Sequence, residues 1–165
     1  MVGSRVTRSS SLGPISPGGF MTDIDSDRAQ RACSERAVEL RVTPRLESLA
    51  VIRMLVGAVA TYEDLDVDTV ADLRLAIDEL CTQLIRAAAP GAMLTVVIDP
   101  HDDHVTIQAS AAGTAAGVLV PGSFSWHVLT ALVDDVQAFR EGQETDSPGE
   151  VFGVTLTTRR ADSGR

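Results

Sequence analysis

The chain reads as an α+β fold: a two-layer sandwich of a mostly antiparallel sheet with about three helices on one face. Three observations predict it. Some segments alternate or concentrate apolar residues as strands do, and others repeat them every three or four positions as helices do. Their order is β-α-α-β-β-α-β-β, which puts strands side by side in hairpins rather than in repeated βαβ units. The length of 165 residues, with 44% hydrophobic and 22% charged, suits one globular domain.

Residues 37–42 alternate apolar and charged side chains, a half-buried strand. Thr43 is a good N-cap and Pro44 a good first helical residue, so a helix is expected over roughly 44–60. Leu46, Leu49, Ile52, Leu55, Val56 and Val59 form its apolar stripe. An acidic connector, 62–66, leads to a second helix that starts after Asp66 or Asp68. It buries Val70, Leu73, Ile77, Leu80, Leu84 and Ala88 and stops at Pro90-Gly91. Strands at 93–99 and 104–109 make a hairpin over residues 100–103. The small residues of 110–117 read as a loop. A third helix covers about 124–134, carrying Trp126 in the core, and strands at 135–140 and 151–159 follow.

The folded domain is therefore expected over 36–160, between a disordered tail at 1–35 and a short tail at 161–165. Gly, Ser and Pro dominate the first twenty residues, and Met21 is an alternative natural start. Neither a secretory h-region nor a run of 18 apolar residues is present, so no membrane span is expected and the cytoplasm is the expected location.

Charge narrows the function. A net charge of −9 argues against a nucleic-acid face and favours a basic protein partner. All 14 basic residues are Arg, which excludes a P-loop lysine, a Schiff-base lysine and a lysine base. Two cysteines, Cys33 and Cys81, make neither a disulfide framework nor a four-Cys zinc site. Cys81 sits beside the apolar stripe as an inert thiol, and Cys33 is the more accessible candidate for oxidation.

The second helix holds the strongest chemical signal. Glu79, Gln83 and Arg86 fall at i, i+4 and i+7, on one polar face. A carboxylate there suits a general base, and an amide oxygen four residues on suits a cation; the same pattern also describes a solvated face. His101 and His104, among Asp99, Asp102 and Asp103, read as turn residues rather than metal ligands. His127, near Ser123 and Ser125, lacks the G-x-S-x-G context of a nucleophile and is expected to pack.

The stretch LAIDELCTQLIRAA (75–88) resembles the N-box helix of the RsbW/SpoIIAB anti-sigma factors, serine kinases of the GHKL ATPase superfamily, whose pattern is roughly A-x-x-E-x-x-T-N-x-x-x-H. The first helix, with Pro44 and Val51-Ile52-Arg53, and PGSFSWHVLTALVDDV (121–136) resemble further family segments. The similarity covers about 37–160 and is to the mycobacterial anti-sigma-F type. It implies a GHKL fold that agrees with the order read above.

The resemblance also assigns roles. Glu79 stands at the position of the family's catalytic base. Gln83 replaces the Asn that holds Mg²⁺, and its extra methylene shifts the oxygen on an ion that demands tight octahedral geometry. Ala87 replaces the family His. Ala109 takes the place of the Asp that bonds adenine, and only Gly113 remains of the glycine motif there. Ser123 and Ser125 flank Phe124 where the family has a glycine-rich lid, and side chains obstruct backbone approach to phosphates. Loss of the adenine-binding carboxylate alone should cost about two decades of affinity. No resident metal or cofactor is therefore expected. In the family the first helix faces the sigma factor, which makes Arg53, with Arg45 two turns before it, the candidate partner contacts. The implied partners are a sigma-F-like stress sigma factor, a STAS-type anti-anti-sigma factor that releases it, and a second copy of the chain in a homodimer.

The expected function is thus an anti-sigma module that keeps its sigma factor from RNA polymerase, with a degraded ATP site. The alternative is an ATP-dependent serine kinase acting on the antagonist through Glu79 and Gln83 with Mg²⁺. An unrelated α+β domain is the third reading.

Overall fold

The structure, a computed structural model, describes residues 33–114, 119–141 and 149–161. Residues 1–32, which hold Met21 and most of the expected tail, lie outside the described residues. Five strands, β1 (Val38–Val42), β2 (Leu94–Pro100), β3 (His104–Gly113), β4 (Asp135–Glu141) and β5 (Glu150–Arg159), form one sheet in the order β1-β2-β3-β5-β4. Every neighbouring pair is antiparallel. Three helices, α1 (Ser48–Tyr62), α2 (Val67–Ala87) and α3 (Phe124–Leu132), complete the α+β sandwich.

Register explains the core. Val38, Ile98, Ile107, Leu156 and Val136 lie opposite one another across the sheet, and so do Leu40, Val96, Ala109 and Val154. Strand side chains alternate between faces, so these rows share the face that meets the helices. Ile52 and Val56 of α1 and Leu73, Ile77, Leu80 and Leu84 of α2 are buried in the same cluster. α2 is the central helix, packed against α1, α3 and the sheet. Its start is fixed by Asp66, whose carboxylate accepts from Thr69 N at 2.9 Å and Thr69 Oγ1 at 2.6 Å. Ser123 caps α3 by accepting from Trp126 N at 3.3 Å.

Four sequence expectations are corrected. Thr43 and Pro44 do not open the first helix. Arg45 N donates to Thr43 O (2.8 Å) and Ser48 N to Arg45 O (3.0 Å), so tight turns carry the chain from the sheet to the helical layer before α1 begins. Glu47 is the N-cap and offers no side-chain bond; Leu46 is consequently exposed. Residues 110–113, expected as loop, extend β3, because Ser110 to Gly113 pair in register with Gly153 to Glu150. Small side chains are needed there: Ala89 N donates to Ala112 O (2.9 Å), and a Cβ on Gly113 would collide with the backbone carbonyl of Ala87. His127 is exposed rather than packed, with its Nδ1 at 2.7 Å from Ser123 O, and Trp126 is only partly buried.

Candidate functional site

Two polar clusters flank α2. On the side of α3, Glu79 and Gln83 stand one turn apart and meet Ser125 from the first turn of α3. Ser125 Oγ donates to Glu79 Oε1 at 2.5 Å. Gln83 Nε2 donates to the same oxygen at 2.9 Å and to Ser125 Oγ at 3.1 Å. All three residues are half-buried. The cluster joins a base-type carboxylate, an amide and a hydroxyl through Glu79 Oε1, Gln83 Nε2 and Ser125 Oγ. A serine hydroxyl against a carboxylate oriented by a third group is the arrangement that nucleophilic chemistry uses, and it is equally a clasp between two helices.

The other sequence-predicted positions lie apart from this bonding. Ala109 is fully buried in mid-strand between Val96 and Val154. Gly113 ends β3 beneath the C-terminus of α2, where Thr114 N donates to Ala87 O at 3.3 Å. Ser123 serves α3 as its cap. Arg86 is exposed in the last turn of α2, beside the negative end of the helix dipole.

On the side of α1, Arg53 and Asp78 form a side-on ion pair. Arg53 Nε lies 2.9 and 3.1 Å from the two carboxylate oxygens, and Nη2 lies 2.8 Å from Oδ2. The Arg53 side chain is 46% exposed and that of Asp78 30%. Arg45 is exposed but belongs to the turn ahead of α1, not to the helix, which corrects its expected place two turns before Arg53. Asp78 escaped the sequence reading because its partner is on another helix; only its position beside the apolar stripe hinted at a polar seam.

A third cluster was also missed. Glu63, read as part of an acidic connector, is buried at the end of α1. Its Oε2 meets Arg160 Nη2 at 2.5 Å and Arg36 Nη1 at 3.4 Å, and Arg160 also donates to its backbone carbonyl. Arg36, Tyr62, Asp64, Asp102 and Arg160 complete an open cleft of about 400 Å³ around it. Nearby, buried Asp99 accepts from Ser34 N at 3.0 and 3.1 Å and from the Ser34 hydroxyl. Three charged groups that are distant in sequence have no local signature.

The histidines of the β2–β3 turn stack with ring centroids 4.4 Å apart. His104 Nδ1 lies 2.5 Å from Asp103 and His101 Nε2 lies 3.4 Å from Asp99. The bond to His104 holds the Asp103 carboxyl below its ordinary range. Burial, with a smaller push from Asp78, raises the Cys81 thiol to about 12. Partial burial and then the charges of Asp99 and Glu39 raise Cys33 as well, so both thiols lose reactive thiolate. Among the described residues no helix is long and apolar enough to cross a membrane.

No protein-family model matches the chain. The anti-sigma-F factor RsbW of Mycobacterium tuberculosis, in strains CDC 1551 / Oshkosh and ATCC 25618 / H37Rv, is 59% identical over 149 residues, which cover 90% of this chain and 89% of that protein. The serine-protein kinase RsbW of Bacillus cereus (strain B4264) is 26% identical over 80 residues, 47% of this chain and 50% of that kinase.

Proposed function

The chain belongs to the RsbW anti-sigma-F factors, and we propose that it binds a sigma-F-type stress sigma factor and keeps it from core RNA polymerase. The identity of 59% across 90% of the chain carries this reading. The chain works in the cytoplasm as a homodimer, and a STAS-type anti-anti-sigma factor releases the sigma factor by competing for an overlapping surface. Such release requires only that the two partners disfavour each other's binding. Arg53 contributes to the sigma-binding face from α1, with Arg45 beside it on the preceding turn.

Sigma binding in this reading needs no nucleotide. The state of the Glu79 corner supports that. Mg²⁺ requires a near-octahedral set of oxygens, whereas Glu79 Oε1 already accepts from Gln83 Nε2 and Ser125 Oγ, and the Gln83 amide oxygen sits on a longer arm than an Asn would give it. Ala109 presents no carboxylate to an adenine amino group, and Ser123 is occupied as a helix cap. These residues fit a Mg-nucleotide poorly.

The second reading, a serine kinase with Glu79 as base, is favoured by the similarity to the Bacillus cereus kinase. Glu79→Ala separates the two: phosphate transfer to a STAS-type protein that the variant abolishes supports the kinase.

Calorimetric titration with a sigma-F-type factor, first without nucleotide and then with Mg-ATP, tests the main reading. Tight binding indifferent to Mg-ATP is the expected result. Binding that strengthens about tenfold with Mg-ATP, a difference of about 1.4 kcal/mol, overturns nucleotide independence. Absence of binding in both conditions overturns the sigma-factor reading itself.

A further inference from the structure

The seam between α1 and α2 carries more than Arg53. One turn along α1 from Arg53 is Gly57, and one turn back along α2 from Asp78 is Arg74. The two helices therefore run antiparallel, with the pairs 53–78 and 57–74 facing each other. Gly57 is buried although it lies near the outer side of α1, because the Arg74 guanidinium lies across it; a Cβ at position 57 would collide with that group. Among the described residues Arg74 makes no ion pair. The seam thus sets two guanidiniums against one carboxylate, a local positive strip on a chain of net charge −9.

The geometry of the pair matters further. Asp78 engages Arg53 through Nε and Nη2, the side edge of the guanidinium. A guanidinium has five N–H donors in a rigid fork, so the end edge of Arg53, with its parallel Nη1 and Nη2 donors, is left for another carboxylate. Asp78 fixes the direction of that edge. Gly57 does the same for Arg74 by leaving room for it to lie flat. Met54 and Leu75, each next in sequence to one of these arginines, are 73% and 57% exposed.

We propose that Asp78 and Gly57 are positioning residues that hold Arg53 and Arg74 as a two-pronged receptor for carboxylates on the sigma-factor partner, flanked by apolar contacts to Met54 and Leu75. The occupant is an acidic segment of that partner that also carries apolar side chains. This rests on the sigma-binding reading above and assigns the partner's chemistry at that face. A basic partner is drawn to the chain by its net charge, and the seam then selects within that partner the segment that bears carboxylates.

The test is affinity for a sigma-F-type factor measured on the full chain and four variants. Asp78→Asn keeps the size of the side chain and removes the charge that aligns Arg53. Affinity is expected to fall about tenfold, because an unaligned fork loses more than the added positive charge contributes at an exposed site. Arg53→Lys, which keeps the charge and removes the fork, is expected to fall by a similar factor. Gly57→Ala and Arg74→Ala are each expected to weaken binding about fivefold, and the double variant no more than either single change, since both act on one guanidinium. Unchanged or tighter binding by Asp78→Asn overturns the positioning role, and additive losses at Gly57 and Arg74 overturn theirs.

A labelled oligoglutamate peptide reads the seam without the sigma factor. Binding by the parent chain that Arg53→Ala/Arg74→Ala abolishes supports the receptor. Equal binding, or none, by both proteins overturns it. If the parent chain binds the peptide and not the sigma factor, the sigma-factor reading falls and the receptor stands.

Discussion

Asp78 and Glu79 are neighbours in sequence and face opposite flanks of α2. Asp78 reaches an arginine whose outer donors stay toward solvent, whereas Glu79 reaches a hydroxyl and an amide that close on it from within the fold. The first pair is half open and keeps unused hydrogen-bonding capacity. The second bonds Glu79 Oε1, the Ser125 hydroxyl and Gln83 Nε2 to one another inside the chain, which raises the cost of bringing in anything that must displace them. On the proposal above, one helix carries a surface that meets a partner beside a corner that holds two helices together. A carboxylate's identity does not decide its role; what decides it is whether its partner still has donors to offer.

Substitutions can break or sharpen this contrast. The largest expected effect comes from neither flank but from Glu63, which serves as the reference for a purely structural cluster. Glu63→Ala leaves Arg160 and Arg36 without their shared buried carboxylate and should lower unfolding free energy by about 3 kcal/mol, read by denaturant titration. Affinity of the folded protein for a sigma-F-type factor should be unaffected; a loss there would make the Glu63 cleft part of the interface.

Next is Arg53→Ala. It should weaken sigma binding about thirtyfold, or about 2 kcal/mol, while stability changes little because the ion pair is partly exposed. The reverse pattern, a stability loss with binding intact, would erase the difference between the flanks. Glu79→Ala should show that reverse pattern. Removing the common acceptor of Ser125 and Gln83 is expected to cost about 1–2 kcal/mol of stability, and calorimetry should find sigma affinity within about twofold of the parent.

The smallest effect concerns the start of α2. The bonds from Thr69, side chain first, hold the Asp66 carboxyl below its ordinary value of 3.8. A carboxylate with a depressed folded-state pKa stabilises above its unfolded value, and that contribution is lost as pH falls through the lowered one. Thr69→Val should therefore move the Asp66 titration upward in a carboxyl NMR experiment. It should reduce stability slightly at neutral pH and not at all in strong acid, with both flanks unaltered.

Much of the fold was legible in the chain, and for local reasons. The stripe from Val70 to Leu84 identifies α2, and Asp66 marks its start because a cap acts within three residues of itself. The errors arose where distant backbone decided. Thr43-Pro44 is a sound helix opening in isolation, yet the chain leaving β1 must first turn out of the sheet, so α1 begins at Ser48. Ser110 to Gly113 carry no strand signal of their own; β5 supplies their partners, and the end of α2 leaves room only for small side chains.

The candidate sites divide the same way. Residue type and spacing put Glu79 and Gln83 on one polar face, and motif likeness marked Arg53, before any tertiary structure was described. The sequence by itself determined the α+β order, the stripes, and family membership through 59% identity with an anti-sigma-F factor. Only the tertiary structure decided that Ser125, 46 residues away, closes on Glu79, that Asp78 pairs with Arg53, and that Glu63 is buried between arginines. The reason is physical. Periodicity and caps are properties of neighbouring residues, whereas the pairing of a polar side chain depends on which distant group the packed core brings within about 3 Å.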